Sequence, residues 1–436
     1  MKMVFALVMM STATAYAVPP DPSSGPSSVV RRARLADLIR EARARNPETL
    51  AAEATAGATD AAVASAGAWD DPMLMVQLWN APSDFSTVPV MVQITQPIAL
   101  GGKREHRRAV ARGEAEAARA TAAVKARDIE AQVAKAYFDL FLAERTIGVD
   151  AQMMETLRSL GAAASARIAA GRGETSESLR AASELLKVES DREAALARRT
   201  AANSRLLALL DRPPEGDIGV VSEPGLVAPL PPVRDLWDRA KTARAELAGA
   251  QAAIRESEAR LRLADAARTP DIGVSVGDMH SFRAVGVSDF LFLGVQGNLP
   301  IFRRSKTDPQ IRTAGAQLAA ARQDARAMEN RVVAEVSDAY AEVVSEQRQV
   351  ELHHKLIPIA KQALSSASSG YAAGRGSFLM VLDSVRDLEM HELDLATHLA
   401  SYEQRLTELE RAVGADLGLL AAADSGRGEV EHGALP

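Results

Sequence analysis

The sequence contains one pattern twice, and this duplication restricts the folds that the chain can adopt. Two Gly-Arg-Gly triplets, at 171–173 and 374–376, lie 203 residues apart (374 minus 171). The same offset relates two apolar stripes of helical spacing, in which Ile129, Val133, Tyr137, Leu140 and Ile147 correspond to Val332, Val336, Tyr340, Val343 and Val350. Since chance does not align so many apolar positions, we expect two copies of one structural unit.

Each unit is predicted to contain a helix, two strands and two further helices. Near the start of the units the offset is smaller, because Pro72 and Pro270 are 198 residues apart (270 minus 72). The second unit has therefore gained five residues (203 minus 198) in an interval predicted to be strand and loop. A folded repeat tolerates an insertion best in such an interval.

The segment boundaries follow from this duplication and from composition. A lysine, a short apolar run and an Ala-Tyr-Ala site predict a secretory signal at the N-terminus, and the Pro/Ser-rich stretch after it cannot form a core. The predicted segments are a signal peptide at 1–17, a flexible leader at 18–31, the first repeat at 32–212, a crossing at 213–232, the second repeat at 233–418 and a flexible tail at 419–436.

Two predicted helices are far longer than the usual helix of a globular protein. They run from Lys103 to about Ala170 and from Asp308 to about Ala373, and each returns after a Gly-Arg-Gly turn as a second helix, Ser176 to Leu210 or Phe378 to Val413. At 1.5 Å per residue, the first is about 100 Å long. Helices of this length are stable only when they pack along their length, as coiled coils do.

Each repeat also contains two predicted strands, at 73–80 and 89–96 and at about 272–279 and 291–299. In the first strand, Leu74 and Val76 alternate with Met73, Met75 and Gln77. A soluble sheet shows such alternation, and so do strands with lipid on one side and water on the other. Four strands are too few to close a barrel, which needs about eight, so membrane insertion would require several subunits.

Composition and motifs exclude several classes of function. The absence of cysteine excludes disulfides, thiolate metal sites and thiol nucleophiles, and the net charge of −6 gives no basic footprint for nucleic acid. The sequence has no nucleophile elbow, phosphate loop or dinucleotide fingerprint. Neither an enzyme nor a cofactor is therefore expected.

Methionines and histidines are the remaining candidate metal ligands. They are Met73, Met75 and Met91 on the mixed strand face and His353, His354, His391 and His398 on predicted helices. Methionine suits soft copper(I), but it is also a common filler of apolar cores. His391 and His398 share a helix face, yet the sequence shows no carboxylate or third ligand that completes a site. No metal site is therefore expected.

Basic residues cluster where strand gives way to helix in both repeats. The clusters are Lys103, Arg104, Arg107 and Arg108 in the first repeat and Arg303, Arg304 and Lys306 in the second. Positive charge at a helix start opposes the helix dipole, so another group should offset it. The residues either lie at the edge of a bilayer with anionic headgroups or form a solvated surface.

The two glycine triplets are predicted to reverse the chain at the end of each long hairpin. They comprise Gly171, Arg172 and Gly173 in the first repeat and Gly374, Arg375 and Gly376 in the second. Glycine supplies a positive φ there without a side-chain clash. The triplets either serve the turn alone or also dock another protein, and their position at hairpin tips favours docking.

Two segments resemble the outer-membrane efflux proteins, the TolC-like exit ducts. One is Tyr-Ala-Ala-Gly at 371–374 followed by Phe-Leu-Met-Val-Leu-Asp at 378–383, in the second copy of the duplicated unit. The other, Thr-Gln-Pro-Ile-Ala-Leu-Gly-Gly-Lys-Arg at 95–104, is similar to the heavy-metal branch of that family. The resemblance covers roughly residues 32–417.

This resemblance implies a mainly α fold with a small β part, in which a long α-helical coiled-coil barrel continues a shared 12-stranded transmembrane β-barrel with four strands from each chain. It implies a homotrimer in outer-membrane lipid, whose hairpin tips meet a periplasmic adaptor and an inner-membrane pump. Tyr371, Glu177 and Asp383 fall at the positions of residues that close the periplasmic entrance in the family. No cofactor and no nucleic acid are implied.

The implied function is a passive exit duct of a tripartite efflux pump for small solutes, with heavy-metal cations among the expected cargo. The alternative is a periplasmic adaptor or another coiled-coil scaffold of a secretion or efflux complex, in which the strands form a soluble sheet. Adaptors usually carry one hairpin and separate β domains, whereas this chain is predicted to have two equivalent hairpins.

Overall fold

The computed structural model describes residues 32–78, 89–224, 229–282 and 287–417. The predicted signal peptide, leader and tail lie outside the described residues, as do the last two residues of the first predicted strand, 79–80.

The helices and strands occur in an order that repeats. The α-helices are α1 (Leu35–Arg45), α2 (Pro47–Ala66), α3 (Lys103–Ala169), α4 (Thr175–Leu209), α5 (Val233–Ala243), α6 (Ala245–Ala266), α7 (Asp308–Ala372) and α8 (Phe378–Val413). The strands are β1 (Arg32–Ala33), β2 (Met73–Leu78), β3 (Val90–Ile98), β4 (Val220–Val221), β5 (Ile272–Phe282) and β6 (Val287–Gly297), and a π-helical turn, Arg303–Thr307, precedes α7. Two helices, two strands and two helices thus occur twice in succession, which is the mainly α, duplicated fold that the sequence predicts.

In the first repeat, the break between α1 and α2 is held by one asparagine. The side-chain oxygen of Asn46 accepts hydrogen bonds from the backbone N–H groups of Glu48 (2.9 Å) and Thr49 (3.3 Å), which caps α2. Its Nδ2 donates to the carbonyl oxygen of Leu209, at the end of α4 (2.9 Å). The start of the repeat is thereby fastened to the end of its second long helix.

The second repeat has the same joint with a different side chain. Arg244 separates α5 from α6, and its Nη1 donates to the carbonyl oxygen of Ala412, in the last turn of α8 (2.6 Å). Its other nitrogens donate to the carboxylates of Glu246 (2.8 Å) and Glu335 (2.5 Å). The buried guanidinium therefore has hydrogen-bonded carboxylate partners, as a buried charge requires.

The four longer strands form one antiparallel sheet in the order β2-β3-β5-β6. Its register places Leu74, Ile94, Val276 and Leu293 side by side across all four strands. The strand predicted at 291–299 lies closer to the N-terminus in the structure, where β6 covers Val287–Gly297. It ends there because the Asn298 side-chain oxygen accepts a hydrogen bond from the backbone N–H of Asp271 (2.5 Å).

In this sheet the exposed face is apolar and the covered face is polar, which is the opposite of a soluble sheet. On one face the aliphatic side chains are open, with Leu74 67% and Leu293 77% exposed. On the other face the small polar side chains are covered, with Thr95 and Ser275 each 4% exposed. An aliphatic outer face and a polar inner face are typical of strands that contact lipid outside and water inside.

The long helices form two hairpins, α3 with α4 and α7 with α8, and the hairpins also pack on each other. Each repeat has its own apolar core near the middle of its hairpin: one contains Ile129, Val133 and Leu140, and the other contains Val332 and Val336. At the tip end, a third cluster combines residues of all four long helices. Within the described ranges, no helix is both long enough and apolar enough to cross a bilayer.

Candidate functional site

At the tip of the first hairpin, α3 ends in a Schellman motif. Gly171 adopts a φ of 69°. The N–H group of Gly171 donates to the carbonyl oxygen of Ile168 (2.9 Å), and that of Arg172 donates to the carbonyl oxygen of Arg167 (2.9 Å). These two bonds satisfy carbonyl groups that the end of the helix would otherwise leave without partners.

The second hairpin ends α7 in the same way. Gly374 adopts a φ of 73°. Its N–H group donates to the carbonyl oxygen of Tyr371 (3.0 Å), and that of Arg375 donates to the carbonyl oxygen of Gly370 (2.9 Å). The first glycine of each triplet therefore supplies the left-handed conformation that the motif requires.

The second glycine of each triplet is required for a different reason. A Cβ atom at Gly173 would lie 2.9 Å from the backbone nitrogen of Ile168, and one at Gly376 would lie 2.7 Å from that of Tyr371. Non-bonded atoms this close repel each other strongly, so the backbone would have to shift. The turn thus explains both glycines of the triplet, but it does not explain the arginine.

Arg172 and Arg375 lie exposed at the two tips. Among the described residues, neither guanidinium forms an ion pair. Each arginine therefore presents a free positive charge at the end of a rigid hairpin, and only its backbone takes part in the turn.

A network around Tyr371 ties the two tips together. The Tyr371 hydroxyl donates to the carboxylate of Glu177 on α4 (2.8 Å), and the Arg167 guanidinium on α3 donates to the Tyr371 carbonyl oxygen (2.8 Å). Arg167 also lies 4.4 Å above the centre of the Tyr371 ring. Burial, and then the hydrogen bond to Glu177, raises the pKa of Tyr371 to about 12, so the phenol stays protonated and keeps donating.

A second link between the hairpins lies further along α8. Arg386 donates from Nε and Nη2 to the two carboxylate oxygens of Glu184 on α4 (3.0 and 2.5 Å). This bidentate hydrogen bond holds the pKa of Glu184 below its ordinary value, against the opposing effect of burial. Asp383 lies exposed one turn before Arg386, 3.8 Å from its Nη1.

Of the three residues predicted to form the gate, the structure therefore brings two into contact. Tyr371 and Glu177 share a hydrogen bond, whereas the ion pair of Asp383 is with Arg386 on its own helix. Arg167, Glu184 and Arg386 are further members of this network that the sequence did not indicate. Their partners lie about 200 residues away along the chain, so no local pattern points to them.

Glu389 is a half-buried carboxylate between the hairpins that the sequence also did not indicate. Burial, and then the nearby carboxylate of Asp150 on α3, raises the pKa of Glu389 to about 7. The smaller contributions come from Lys187, which lowers this pKa, and from Glu184 and Asp191, which raise it. Asp150 is itself buried, and burial raises its pKa as well.

Most of the first basic cluster has partners within the chain. The ammonium group of Lys103 is buried and donates to the carbonyl oxygen of Thr269 and to Asp271 (both 2.7 Å). Arg104 lies 3.8 Å above the ring of Trp69 and donates to the carbonyl oxygen of Gly67 (3.0 Å). The positive charge that opposes the helix dipole is thus offset inside the protein, which corrects the expectation that lipid or solvent faces Lys103.

The other basic residues are more open. Arg107 pairs with Asp70 (3.2 Å), and Arg108 pairs with Glu105 (3.3 Å). Arg303 donates to the backbone of Arg268 (3.3 Å), while Arg304 and Lys306 are exposed. The second cluster is therefore the one that remains available for contacts outside the chain.

Three histidines meet between α7 and α8. Ligand atoms of His353 on α7 and of His391 and Asp394 on α8 all lie within 4.8 Å of one another. The ring of His398 lies 5.3 Å from that of His353, and its Nδ1 is 2.7 Å from the carboxylate of Glu346. The expectation that a third ligand and a carboxylate are missing was wrong, because the antiparallel packing of two helices supplies both.

The match to a protein family decides the class of this protein. The family model described as outer membrane efflux protein matches residues 38–212 and again residues 236–415, one match on each repeat. The chain belongs to this family. Its members are trimeric outer-membrane channels that work with an adaptor and an inner-membrane pump.

Relatives and solved structures agree with this assignment. The cobalt-zinc-cadmium resistance protein CzcC of Cupriavidus metallidurans is 27% identical over 341 residues, which cover 76% of this chain and 78% of the relative. The solved structure of CusC has a TM-score of 0.77 at 18% identity, and that of the outer-membrane channel OprN has 0.76 at 17%. In both cases the match covers 93% of this chain and 99% of the solved one.

The predicted class of function, an outer-membrane efflux channel, and the predicted location are thereby confirmed. The protein is an outer-membrane efflux channel with a periplasmic helical tunnel, and its role in transport is not enzymatic. The alternative, an adaptor or another coiled-coil scaffold, is excluded by the family match.

We expect the two tip glycines to be sensitive to alanine. Replacing Gly171 or Gly374 should destabilise the protein by about 1–2 kcal/mol each, because an L-residue at positive φ costs this much. Gly148→Ala is the matched control, since nothing lies within 4 Å of a Cβ atom added there inside α3, and alanine should stabilise that helix by roughly 0.5–1 kcal/mol. Unfolding of the purified protein in detergent measures the three values, and an equal loss in all three variants would show that the tip turns have no special need for glycine.

The raised pKa of Glu389 predicts a pH dependence of stability. A folded pKa of about 7, above the ordinary 4.5 of the unfolded chain, means that the folded state holds the proton more tightly. This stabilising contribution is complete below pH 4.5 and is lost as the pH rises through about 7. Glu389→Gln should therefore raise the unfolding temperature at pH 8 and leave it unchanged at pH 4. The same change at the exposed Glu193 is the control, and a pH-independent effect of Glu389→Gln would contradict a raised pKa at this carboxyl group.

Proposed function

We propose that three copies of this chain form one duct across the outer membrane and that divalent metal cations leave the cell through it. The open sheet is the observation that supports association of several copies. Within the described residues, β2 and β6 each pair with another strand on one side only. Unpaired backbone groups at a sheet edge cannot face lipid. Pairing β6 of one copy with β2 of the next satisfies both edges and closes a barrel whose aliphatic outer face meets lipid.

The exposed residues of the second basic cluster support a barrel whose periplasmic end lies at the junction of β6 with α7. Arg303, Arg304 and Lys306 lie where β6 gives way to α7. In the proposed barrel this is the periplasmic rim, where each basic side chain near anionic headgroups contributes about 1 kcal/mol.

The hairpin tips are the proposed docking points for the periplasmic adaptor. Arg172 and Arg375 are exposed in two turns of the same construction, and neither side chain is needed for its turn. An adaptor with carboxylates or backbone carbonyl groups at its own tip would complement them. The inner-membrane pump then supplies the energy, because the sequence has no nucleotide-binding motif.

Tyr371, Glu177 and Asp383 are the proposed gate at the periplasmic mouth. The contacts of Tyr371 with Glu177 and with Arg167 fix the end of α7 on the first hairpin. Adaptor binding would release these contacts and let the second hairpin move as a two-state element. The exposed carboxylates of Asp383, one from each copy, would draw cations towards the opening.

The proposed cargo rests on the relative whose name gives resistance to cobalt, zinc and cadmium. These are divalent cations that a polar, water-filled duct can pass without chemistry of its own. Selection among them would belong to the pump that loads the duct.

We expect the tip arginines to be required for coupling but not for assembly. The double variant Arg172→Glu with Arg375→Glu should form trimers in the membrane in normal yield and lose at least about tenfold in adaptor binding, because two desolvated charges are reversed. The control is Arg326→Glu with Arg348→Glu, which makes the same charge change at exposed positions along α7. Co-purification with the adaptor is the measurement, and the docking role would be refuted if the tip variant kept full adaptor binding.

The cargo is tested in cells that lack the chain and have no redundant duct. Deletion should raise sensitivity to zinc and cobalt salts several-fold, and the wild-type gene should restore resistance. Sensitivity to organic toxicants alone would overturn the metal cargo and leave the duct standing, whereas unchanged sensitivity to both classes would overturn the duct.

A further inference from the structure

We propose that His353, His391 and Asp394 bind one divalent transition-metal cation and that the ion links α7 to α8. Two imidazoles and a carboxylate come together there from two antiparallel helices, with one ligand atom of each within 4.8 Å of the others. His391 and Asp394 lie three residues apart and therefore on one face of α8, opposite His353. The proposal concerns a bound ion at a fixed place, so it stands whether or not the duct carries metal.

The two imidazoles have ring nitrogens free to accept an ion. The Nδ1 atoms of His353 and His391 are buried, and neither has a hydrogen-bond partner among the described residues. His353 as a whole is only 8% exposed. A buried polar atom without a partner is unfavourable, and coordination would remove that cost.

His353 is largely buried, so a cation held beside it needs a nearby negative charge. Asp394 supplies negative charge that compensates the ion.

A further histidine, His398, lies beside these three residues. Its ring lies 5.3 Å from that of His353, one turn of α8 beyond Asp394. Its Nδ1 is held by Glu346 at 2.7 Å, which leaves the other nitrogen of the ring for a metal. A carboxylate behind a histidine is the usual arrangement around a metal-bound imidazole.

This set of ligands selects the kind of ion. Nitrogen and oxygen ligands in a four-coordinate arrangement suit zinc and cobalt, and the absence of sulfur disfavours copper(I). Around a zinc ion at 2.0–2.1 Å, tetrahedral ligand atoms lie roughly 3.4 Å apart. The ligand atoms, which lie up to 4.8 Å apart, therefore need to approach one another by as much as about 1.4 Å (4.8 minus 3.4), which small changes of rotamer can provide.

The site belongs to one hairpin only. At the offset of 203 residues, the corresponding positions in the first repeat are Asp150, Val188 and Asp191, which do not include an imidazole. His353 lies 18 residues before Tyr371 (371 minus 353), about 27 Å along the helix. A bound ion would fasten the two helices of the second hairpin to each other at this distance from the tip.

The experiment measures zinc binding to the purified, metal-free protein in detergent by competition with a chromogenic chelator. We expect one equivalent per chain, and we expect His353→Ala, His391→Ala and Asp394→Asn each to weaken binding by at least about tenfold. His354→Ala is the matched control, because this neighbour of His353 is exposed and should have no effect. Zinc should also raise the unfolding temperature of the wild type and of His354→Ala, but not that of His391→Ala.

Cobalt(II) gives an independent readout, since coordination by these side chains should produce the strong visible absorption of a tetrahedral complex. Asp394→Asn keeps the shape of the side chain, so it decides the question if a histidine variant fails to fold. The proposal is overturned if the wild type binds no equivalent of zinc, or if binding survives in Asp394→Asn, or if His354→Ala loses as much affinity as His353→Ala.

Discussion

The rest of the structure depends on a sheet that is apolar on the outside. Leu74, Ile94, Val276 and Leu293 form a row across the four strands, and this row is open rather than covered by another layer of the same chain. Such a face is stable against lipid and unstable against water. The lipid in turn forbids open sheet edges, so the same sheet that requires a membrane also requires neighbours. The periplasmic helices then extend from strands whose position is already fixed.

The duplication produces two tips with the same backbone and different contacts. Both turns use a glycine at positive φ, yet only the second tip carries a tyrosine that reaches across to the other hairpin. At the offset of 203 residues, Tyr371 corresponds to Ile168 and Glu177 corresponds to Met380. The contact between Tyr371 and Glu177 is therefore made once in each chain, on one side of the second hairpin. If the hairpins of several chains alternate in a ring, the contact between two hairpins of one chain would then differ in stability from the contact between hairpins of neighbouring chains.

The sequence predicted those features that depend on local patterns. Helix periodicity, alternation in the strands and the glycine turns each follow from residues close together in the chain, so the fold and the position of the tips could be predicted. The family resemblance predicted that Tyr371 and Glu177 act together at the periplasmic entrance. The contact of Lys103 with Asp271 and the grouping of His353 with His391 could not be predicted, because each depends on the register between elements far apart in sequence. A shift of one residue in that register would separate the side chains.

The joints at Asn46 and Arg244 show how far two copies of one unit can diverge while keeping one architecture. Each side chain holds the last turn of its returning helix, but Asn46 does so with a neutral amide and Arg244 with a charge that needs Glu246 and Glu335. The charged joint works only where both carboxylates are present. In the first repeat, Glu48 stands where the second has Glu246, but Gln132 stands where the second has Glu335. A chimera that carried the arginine in the first repeat would therefore bury a cation with only one of its two carboxylate partners, so the two repeats cannot exchange this residue although they share one architecture.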